Sequence, residues 1–327
     1  MINRKVIRRK VLQNLFKQTY LEEDDQGDSA VLKSRLKDDL EAVYGLHLYL
    51  LNTIEEVAWY AKRNYEEKQA AVPISDRFQY TLRFYDNFIV QKLFNSKNYQ
   101  KIKESYKVFW MDDDSLLRRI FLDFKASDLY QEYIHSRQQA GFEDEEILLY
   151  FLKHYPKYFN LFRQHLEEVF PNFGDDQRLA VNMASKSIRN IAGDPEIEDF
   201  LVPIATDWED KLDYAYLLFE KSKDIKEEYQ NYVEPKITQW EPSQLATVDV
   251  LILKMALAEF IYFPTIPSQV TINEYLELGK DFSNPGSKKF LNAVLDRTYN
   301  DLEKHGMVNK TGPGLVKNSP GHKSSSH

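Results

Sequence analysis

The scarcity of helix-breaking residues is the feature that most constrains the fold of this 327-residue chain. The sequence contains only 11 glycines and 12 prolines, and several of these lie near the C-terminus. Long stretches rich in Leu, Glu, Lys, Gln and Ala run between them, and such stretches favour helices over short strands and tight turns. Since 43% of the residues are hydrophobic and 14% are aromatic, the chain can bury a substantial core. We therefore predict an all-α protein.

Several kinds of chemistry are excluded by what the sequence lacks. There is no cysteine, and hence no disulfide, thiolate zinc site or cysteine nucleophile. No segment approaches the ~20 consecutive apolar residues of a membrane span, and the charged start of the chain does not resemble a signal peptide. Phosphate-binding glycine motifs and the common hydrolase motifs are also missing. We expect a cytoplasmic protein that is not an enzyme and needs no cofactor or metal.

Charge is distributed unevenly along the chain. The net charge is −8, yet the first 20 residues hold six basic side chains and no acidic one. A basic arm on an acidic body can meet polyanions locally while the body discourages indiscriminate binding. The alternative is an ordinary solvated helix face, and the sequence leaves both open. The six residues are Arg4, Lys5, Arg8, Arg9, Lys10 and Lys17.

The basic arm belongs to a predicted helix over residues 3–21. Two ridges along it are basic in the first two turns and apolar afterwards. The later turns should pack into a core while the first turns extend beyond it, so that guanidinium groups reach a rim where phosphates can bind. The two ridges are Arg4, Arg8, Val11, Leu15 and Lys5, Arg9, Leu12, Phe16.

The chain divides by composition into four regions. We predict a first helix over 1–22, an inserted helical expansion over 30–205, a C-terminal helical core over 206–304 and a disordered tail over 305–327. An acidic connector at 22–28 follows the first helix, and breaks are expected near Pro73, Asp112–Asp114, Gly141 and Pro156. The run Asp112–Asp114 could form a metal cluster, but the capping of a following helix explains it better.

Three spaced motifs occupy the C-terminal region. The first is Thr247-Val-Asp-Val-Leu-Ile-Leu-Lys-Met-Ala-Leu-Ala-Glu-Phe260, and the second is Val270-Thr-Ile-Asn-Glu-Tyr-Leu-Glu-Leu-Gly-Lys280. The third, Ser287-Lys-Lys-Phe-Leu-Asn-Ala-Val-Leu-Asp296, opens the last predicted helix. Together they resemble the C-terminal half of the NusB family of transcription antitermination factors. The basic segment Arg4–Phe16 is similar to the arginine-rich first helix of that family. The longer middle region resembles the enlarged NusB form, in which helices are inserted after the first.

The resemblance implies a function without covalent chemistry. NusB proteins bind boxA-type single-stranded RNA of ribosomal RNA transcripts jointly with the ribosomal protein NusE, within the RNA polymerase antitermination complex. Carried over by motif, the RNA-binding residues are Arg4, Lys5, Arg8, Lys289 and Phe290, and the NusE-binding residues are Phe16 and Glu259. Phe16 stands in place of a tyrosine, and Gly286 stands where the family often has Asp, next to Pro285.

The residues themselves leave two of these assignments open. Glu259 is the only charged residue between Met255 and Asn273, and it shares a helical stripe with apolar neighbours. Burying it unpaired would cost several kcal/mol, so it has an internal partner, reaches solvent or meets a binding partner. Phe290 keeps helical spacing with Val294, which is typical of a core anchor as well as of a base-stacking ring.

Two rival functions can be set against this one, and the sequence excludes the first. NusB-like domains also precede ribosomal RNA cytosine methyltransferases, but those enzymes need a nucleophilic cysteine and a nucleotide-binding α/β domain, which the sequence lacks. The second rival is a protein-only helical scaffold in transcription complexes that binds NusE and has little RNA affinity. The basic residues at the N-terminus favour RNA binding over this alternative.

Overall fold

The computed structural model describes residues 1–19, 29–71, 81–110, 114–136, 141–237 and 246–315. Throughout these ranges the regular structure is helical and there is no strand, which confirms the all-α prediction. None of the described helices is long and apolar enough to span a bilayer. The expected acidic connector at 22–28 and the break at Pro73 lie outside the described residues.

Fifteen α-helices and one short 3-10 helix make up the described regular structure. The first nine are α1 (Arg4–Gln18), α2 (Ser29–Ala71), α3 (Phe88–Asn95), α4 (Lys97–Ser105), α5 (Asp114–Ala126), α6 (Asp128–His135), α7 (Phe142–Tyr158), α8 (Asn160–Val169) and α9 (Phe173–Gly193). The remainder are α10 (Trp208–Asp224), α11 (Lys226–Tyr232), α12 (Glu234–Ile237), α13 (Thr247–Tyr262), α14 (Ser268–Phe282), α15 (Ser287–Lys304) and the 3-10 helix Gly312–Leu315.

The chain forms two compact units. The first comprises Met1 and residues 41–206, and the second comprises residues 2–40 and 207–327. We expected the inserted expansion to begin at residue 30, whereas the division falls within α2. The first residues of α2 belong to the second unit because Lys17 pairs with Asp39 at 3.0 Å and Lys33 pairs with Glu220 at 2.9 Å.

Helix α13 is the centre of the second unit. From Leu251 to Phe260 every residue except Lys254 is buried. A helix that is hydrophobic all round must be surrounded, and α13 packs against α1, α10, α14 and α15. The apolar motif Thr247–Phe260 therefore forms the core element on which the other helices of this unit assemble.

The first unit has its own hydrophobic core, rich in aromatic residues. Its helix α7 packs on α8 and α9, and α3 packs on α7 and α9. Asp114 begins α5 and pairs with Arg63 at 2.9 Å, while the neighbouring Asp112 and Asp113 lie outside the described residues. Over the described part of the chain no group of three or more His, Cys, Asp or Glu side chains is placed to hold a metal ion.

The predicted disordered tail differs from the structure over residues 305–315. The backbone N–H of Thr311 donates to the carbonyl of Pro264 at 3.0 Å, and the Lys310 ammonium donates to the carbonyl of Phe263 at 3.0 Å. The last carbonyls of a helix have no partner within it, so Lys310 satisfies a group that the end of α13 leaves free. Burial lowers the pKa of Lys310 to about 8. Residues 316–327 lie outside the described part of the chain.

Candidate functional site

A buried ion pair joins α1 to α13. The Arg8 guanidinium donates to both carboxylate oxygens of Glu259, from Nε to Oε2 and from Nη2 to Oε1, each at 2.8 Å. Arg8 is only 2% exposed and Glu259 is fully buried. The two parallel hydrogen bonds are the strongest arrangement available to these side chains, and only such geometry compensates the cost of removing two charges from water.

Three hydroxyl groups complete the surroundings of the Glu259 carboxylate. Tyr214 from α10 donates to Oε2 at 2.7 Å, Thr271 from α14 donates to Oε1 at 2.8 Å, and Tyr275 donates to Oε2 at 3.2 Å. With Arg8 and Glu259 these residues form what we call the carboxylate cluster. The cluster connects α1, α10, α13 and α14 through a single carboxylate.

The cluster sets the ionisation of its members. Burial acts to raise the pKa of Glu259, but the hydrogen bond and charge of Arg8 outweigh it and hold this pKa below its usual value. Burial, reinforced by the Glu259 charge, raises the pKa of both Tyr214 and Tyr275 well above the ordinary tyrosine value. Glu259 is therefore ionised and both tyrosines are neutral donors at pH 7, so each hydrogen bond keeps its direction.

Two sequence-predicted site residues are thus enclosed by the fold. Arg8 was assigned to RNA and Glu259 to NusE, yet the structure pairs them with each other inside the second unit. The internal partner considered for Glu259 is the arrangement found. Arg4 and Arg8 lie on one ridge of α1, followed by Val11. The sequence suggested that burial begins at the apolar Val11, but it begins one turn earlier, at Arg8.

The other two basic predictions lie at the surface. Arg4 and Lys5 are both exposed at the start of α1, where Asn3 caps the helix by accepting a hydrogen bond from the backbone N–H of Val6 at 3.1 Å. The Arg4 guanidinium lies 5.4 Å from the centre of the Tyr214 ring. The cap fixes where α1 begins, and both cations lie in its first turn.

At the start of α15 the two predicted residues differ in position. Lys289 is exposed, whereas Phe290 is 6% exposed and belongs to the core. The start of this helix is held by Ser287, whose hydroxyl donates to Asp249 of α13 at 2.8 Å. Phe290 is thus a core anchor, which is one of the two interpretations that its spacing allowed.

Two residues next to these cations were not among the predicted ones. Arg9 contacts the end of α14, with Nη2 3.3 Å from a carboxylate oxygen of Asp281 and its guanidinium 5.8 Å from the centre of the half-buried Phe282 ring. Lys5 precedes Arg9 by four residues and so lies on the same ridge of α1. We use the name basic face for the exposed cations at the starts of α1 and α15, which are Arg4, Lys5 and Lys289, taken together with Arg9 and Phe282. The ridge of α1 was visible in the sequence. The sequence did not, however, show that Phe282 is half-buried whereas Phe290 is buried in the core.

Phe16 lies apart from the carboxylate cluster. It is half-buried near the end of α1, eight residues after Arg8, which corresponds to about 12 Å along the helix axis. Because Glu259 is fully buried beside Arg8, the structure does not bring Phe16 and Glu259 together as one exposed patch.

Comparison with known proteins identifies a match in the second half of the chain. Residues 178–300 match the model of the NusB family, beginning within α9 rather than at the predicted residue 206. A transcription antitermination protein NusB from Salinibacter ruber is 36% identical over 104 residues, covering 32% of this chain and 65% of the relative. Its counterpart from Chloroherpeton thalassium is 34% identical over 90 residues, covering 28% and 43% respectively.

A third relative of the same name, from Koribacter versatilis, is 39% identical over 90 residues and is covered over 62% of its length. The chain thus spans less than two thirds of each of these three relatives. No solved structure matches the chain significantly. The matched region contains α10–α14 and α15 up to residue 300, and hence all of the carboxylate cluster except Arg8.

The first prediction concerns the stability of the carboxylate cluster. Replacing Glu259 by Ala leaves the buried Arg8 charge with only the longer, 3.4 Å contact to the partly exposed Glu274, which should lower the free energy of unfolding by about 3–5 kcal/mol. Urea denaturation measures this loss, and Glu277→Ala, which removes the exposed pair with Lys288, should change stability by less than about 1 kcal/mol. A Glu259→Ala protein as stable as the Glu277→Ala control would show that Arg8 does not depend on this carboxylate.

The second prediction concerns pH. Because the pKa of Glu259 is lower in the folded protein than its ordinary value, the ion pair stabilises the fold above the ordinary carboxyl pKa. This contribution should disappear as the pH falls through the lower, folded-state pKa. The difference in unfolding free energy between wild type and Glu259→Gln, measured by urea titration from pH 7 to pH 3, should therefore shrink toward low pH. A difference that stays constant over this range would contradict the assignment.

Proposed function

We propose that this chain is a transcription antitermination factor, because residues 178–300 match the model of the NusB family. In this proposal it binds boxA-type single-stranded RNA of ribosomal RNA transcripts jointly with the ribosomal protein NusE. The activity takes place in the cytoplasm, within the RNA polymerase antitermination complex, and involves no covalent chemistry. The observation that supports RNA binding most directly is the basic face on the second unit.

The basic face suits a single strand of RNA because it combines exposed cations with a half-buried aromatic ring. Arg4, Lys5 and Lys289 are exposed and can contact phosphates, while Phe282 offers an aromatic surface next to the Arg9 guanidinium. Phosphate contacts position a single strand and base stacking adds affinity without requiring a particular sequence. Phe282 replaces Phe290 as the proposed stacking residue, because Phe290 belongs to the core.

The carboxylate cluster acts on this site through position rather than contact. Arg8 lies between Arg4 and Arg9 in the sequence. Its ion pair with Glu259 turns one side of α1 toward the core, and this fixes the rotation of the helix about its axis. That rotation determines which side chains of α1 face outward. Arg8 and Glu259 therefore become positioning residues in the proposal, and Phe16 remains the proposed NusE contact.

One observation favours the alternative of a protein-only scaffold that binds NusE. Burial of Arg8 removes one of the three α1 cations assigned to RNA, and Gly286, at the start of α15, provides no side-chain cap. The two functions differ in a measurable way, since the scaffold would bind NusE equally well whether or not the basic face is intact and would show little RNA affinity.

The third prediction tests the cations. Arg4→Ala combined with Lys5→Ala should weaken binding of a boxA RNA oligonucleotide to the complex with NusE. It should also lower the slope of log K against log salt by roughly 1.4, which corresponds to two single-strand phosphate contacts. Fluorescence anisotropy at several salt concentrations measures both. The control Lys223→Ala with Lys226→Ala removes two exposed lysines of the same unit and should leave the slope unchanged. An unaltered slope in the Arg4/Lys5 variant would favour the scaffold.

The fourth prediction separates the two phenylalanines. Phe282→Ala should reduce RNA affinity by about 1–3 kcal/mol through the loss of base stacking, with a small effect on thermal unfolding. Phe290→Ala should instead lower the unfolding free energy by about 3–5 kcal/mol, since it removes a buried ring. RNA titration and thermal melting of both variants provide the comparison. Full RNA affinity in folded Phe282→Ala would exclude this ring as a stacking surface.

A further inference from the structure

Three aromatic rings form a cluster on the surface of the first unit. Trp59 of α2 contacts Tyr85 and Phe94, with ring centres 5.6 Å and 6.0 Å apart, and the Tyr85 and Phe94 rings are themselves 5.6 Å apart. Tyr85 and Phe94 are half-buried against the core, whereas Trp59 is 46% exposed. The two inner rings are thus explained by packing, and the outward-facing indole is not.

A cation completes this cluster. The Lys62 ammonium lies 4.8 Å from the centres of both the Trp59 and the Tyr85 rings, within the range of cation–π attraction. Among the side chains that the structure describes, no carboxylate forms a salt bridge with Lys62, so its charge is available to an anion. We use the name Trp59 patch for Trp59, Lys62, Tyr85 and Phe94.

The segment that contributes Phe94 is basic. Residues 88–107 contain five lysines and one acidic residue in a chain whose net charge is −8. Lys103 is used internally, with its ammonium 2.9 Å from the buried Glu55 carboxylate. Two of the remaining lysines open onto a pocket of about 390 Å³ at the junction of α3 and α4, which is lined by Lys92, Asn95, Ser96, Lys97, Asn98 and Glu198.

From these observations we infer that the Trp59 patch is a second binding surface for single-stranded RNA, on the first unit. The inference rests on the proposed function in that it assigns the same class of ligand to a different surface. An exposed ring that every base can stack on, with the Lys62 ammonium beside it to contact a phosphate, is the combination that binds single strands without sequence preference. The lysines of residues 88–107 favour a polyanion over an apolar protein segment as the occupant.

The test uses the full chain in complex with NusE and a labelled 20-nucleotide oligouridylate, which carries no boxA element. Trp59→Ala combined with Lys62→Gln should weaken binding at least about fivefold, the lower limit for losing one stacked base. The matched control is Tyr158→Ala with Lys157→Gln, since Tyr158 is 59% exposed and Lys157 lies 4.7 Å from its ring. The control variant should bind like wild type. Lys62→Gln alone keeps all three rings and should lower the salt slope by roughly 0.7.

Photo-crosslinking of the bound RNA, read by mass spectrometry, distinguishes this inference from the proposed function. Cross-links at both Trp59 and the basic face support both. If they occur only at the basic face, and the Trp59/Lys62 variant binds like wild type, the second surface is overturned and the function stands. Cross-links at Trp59 alone would support the inference and overturn the basic face. With no oligouridylate bound to the wild-type complex, the second surface is overturned and a protein occupant explains the patch, while the proposed function is decided by the boxA titration described above.

Discussion

The ion pair between Arg8 and Glu259 joins residues 251 positions apart in the sequence, and the second unit depends on it. A carboxylate fully enclosed between helices is tolerated only if every lone pair finds a donor, and five hydrogen bonds from α1, α10 and α14 supply them. The helices must therefore adopt one mutual arrangement, because a rotation of α1 that removed Arg8 would leave a buried charge without a partner. An apolar contact would tolerate such a rotation far better.

This constraint gives α1 two separate roles on two faces. Ile7, Val11 and Leu15 are buried and pack the helix into its unit, while Arg4 and Lys5 are exposed beyond the core. Arg8 belongs to the buried face although it is charged. The outward direction of Lys5 and Arg9 thus follows from the inward direction of Arg8, so the geometry of the proposed RNA site depends on a pair that need not touch RNA.

The helices and the central role of α13 could be predicted from the sequence, because apolar periodicity and the lack of Gly and Pro are local signals. The burial of Arg8 was not predictable in this way. Arg4 and Arg8 are the same residue type and lie four residues apart on one ridge of α1. Arg8 is buried because Glu259 lies opposite it in the folded protein, whereas Arg4 is exposed. Phe282 and Phe290 likewise differ in how deeply they are buried, and this depends on contacts between helices that the pattern within one helix does not predict. The spacing of Glu259 did limit the choices correctly, since a carboxylate among apolar neighbours requires a partner.

The order of the chain places a long segment, residues 41–206, between the two parts of the second unit. The chain leaves this unit within α2 and returns at residue 207, and both ends are anchored inside it, since Ser29 and Lys33 of α2 bond to Glu220 of α10 at 3.1 Å and 2.9 Å. The entropy of closing a loop grows only slowly with its length, so even a long segment between two anchored ends adds little to this cost. The segment also has a hydrophobic core of its own and folds as a compact unit. The Arg8–Glu259 pair therefore closes across residues 41–206, because α1 and α13 belong to the same unit.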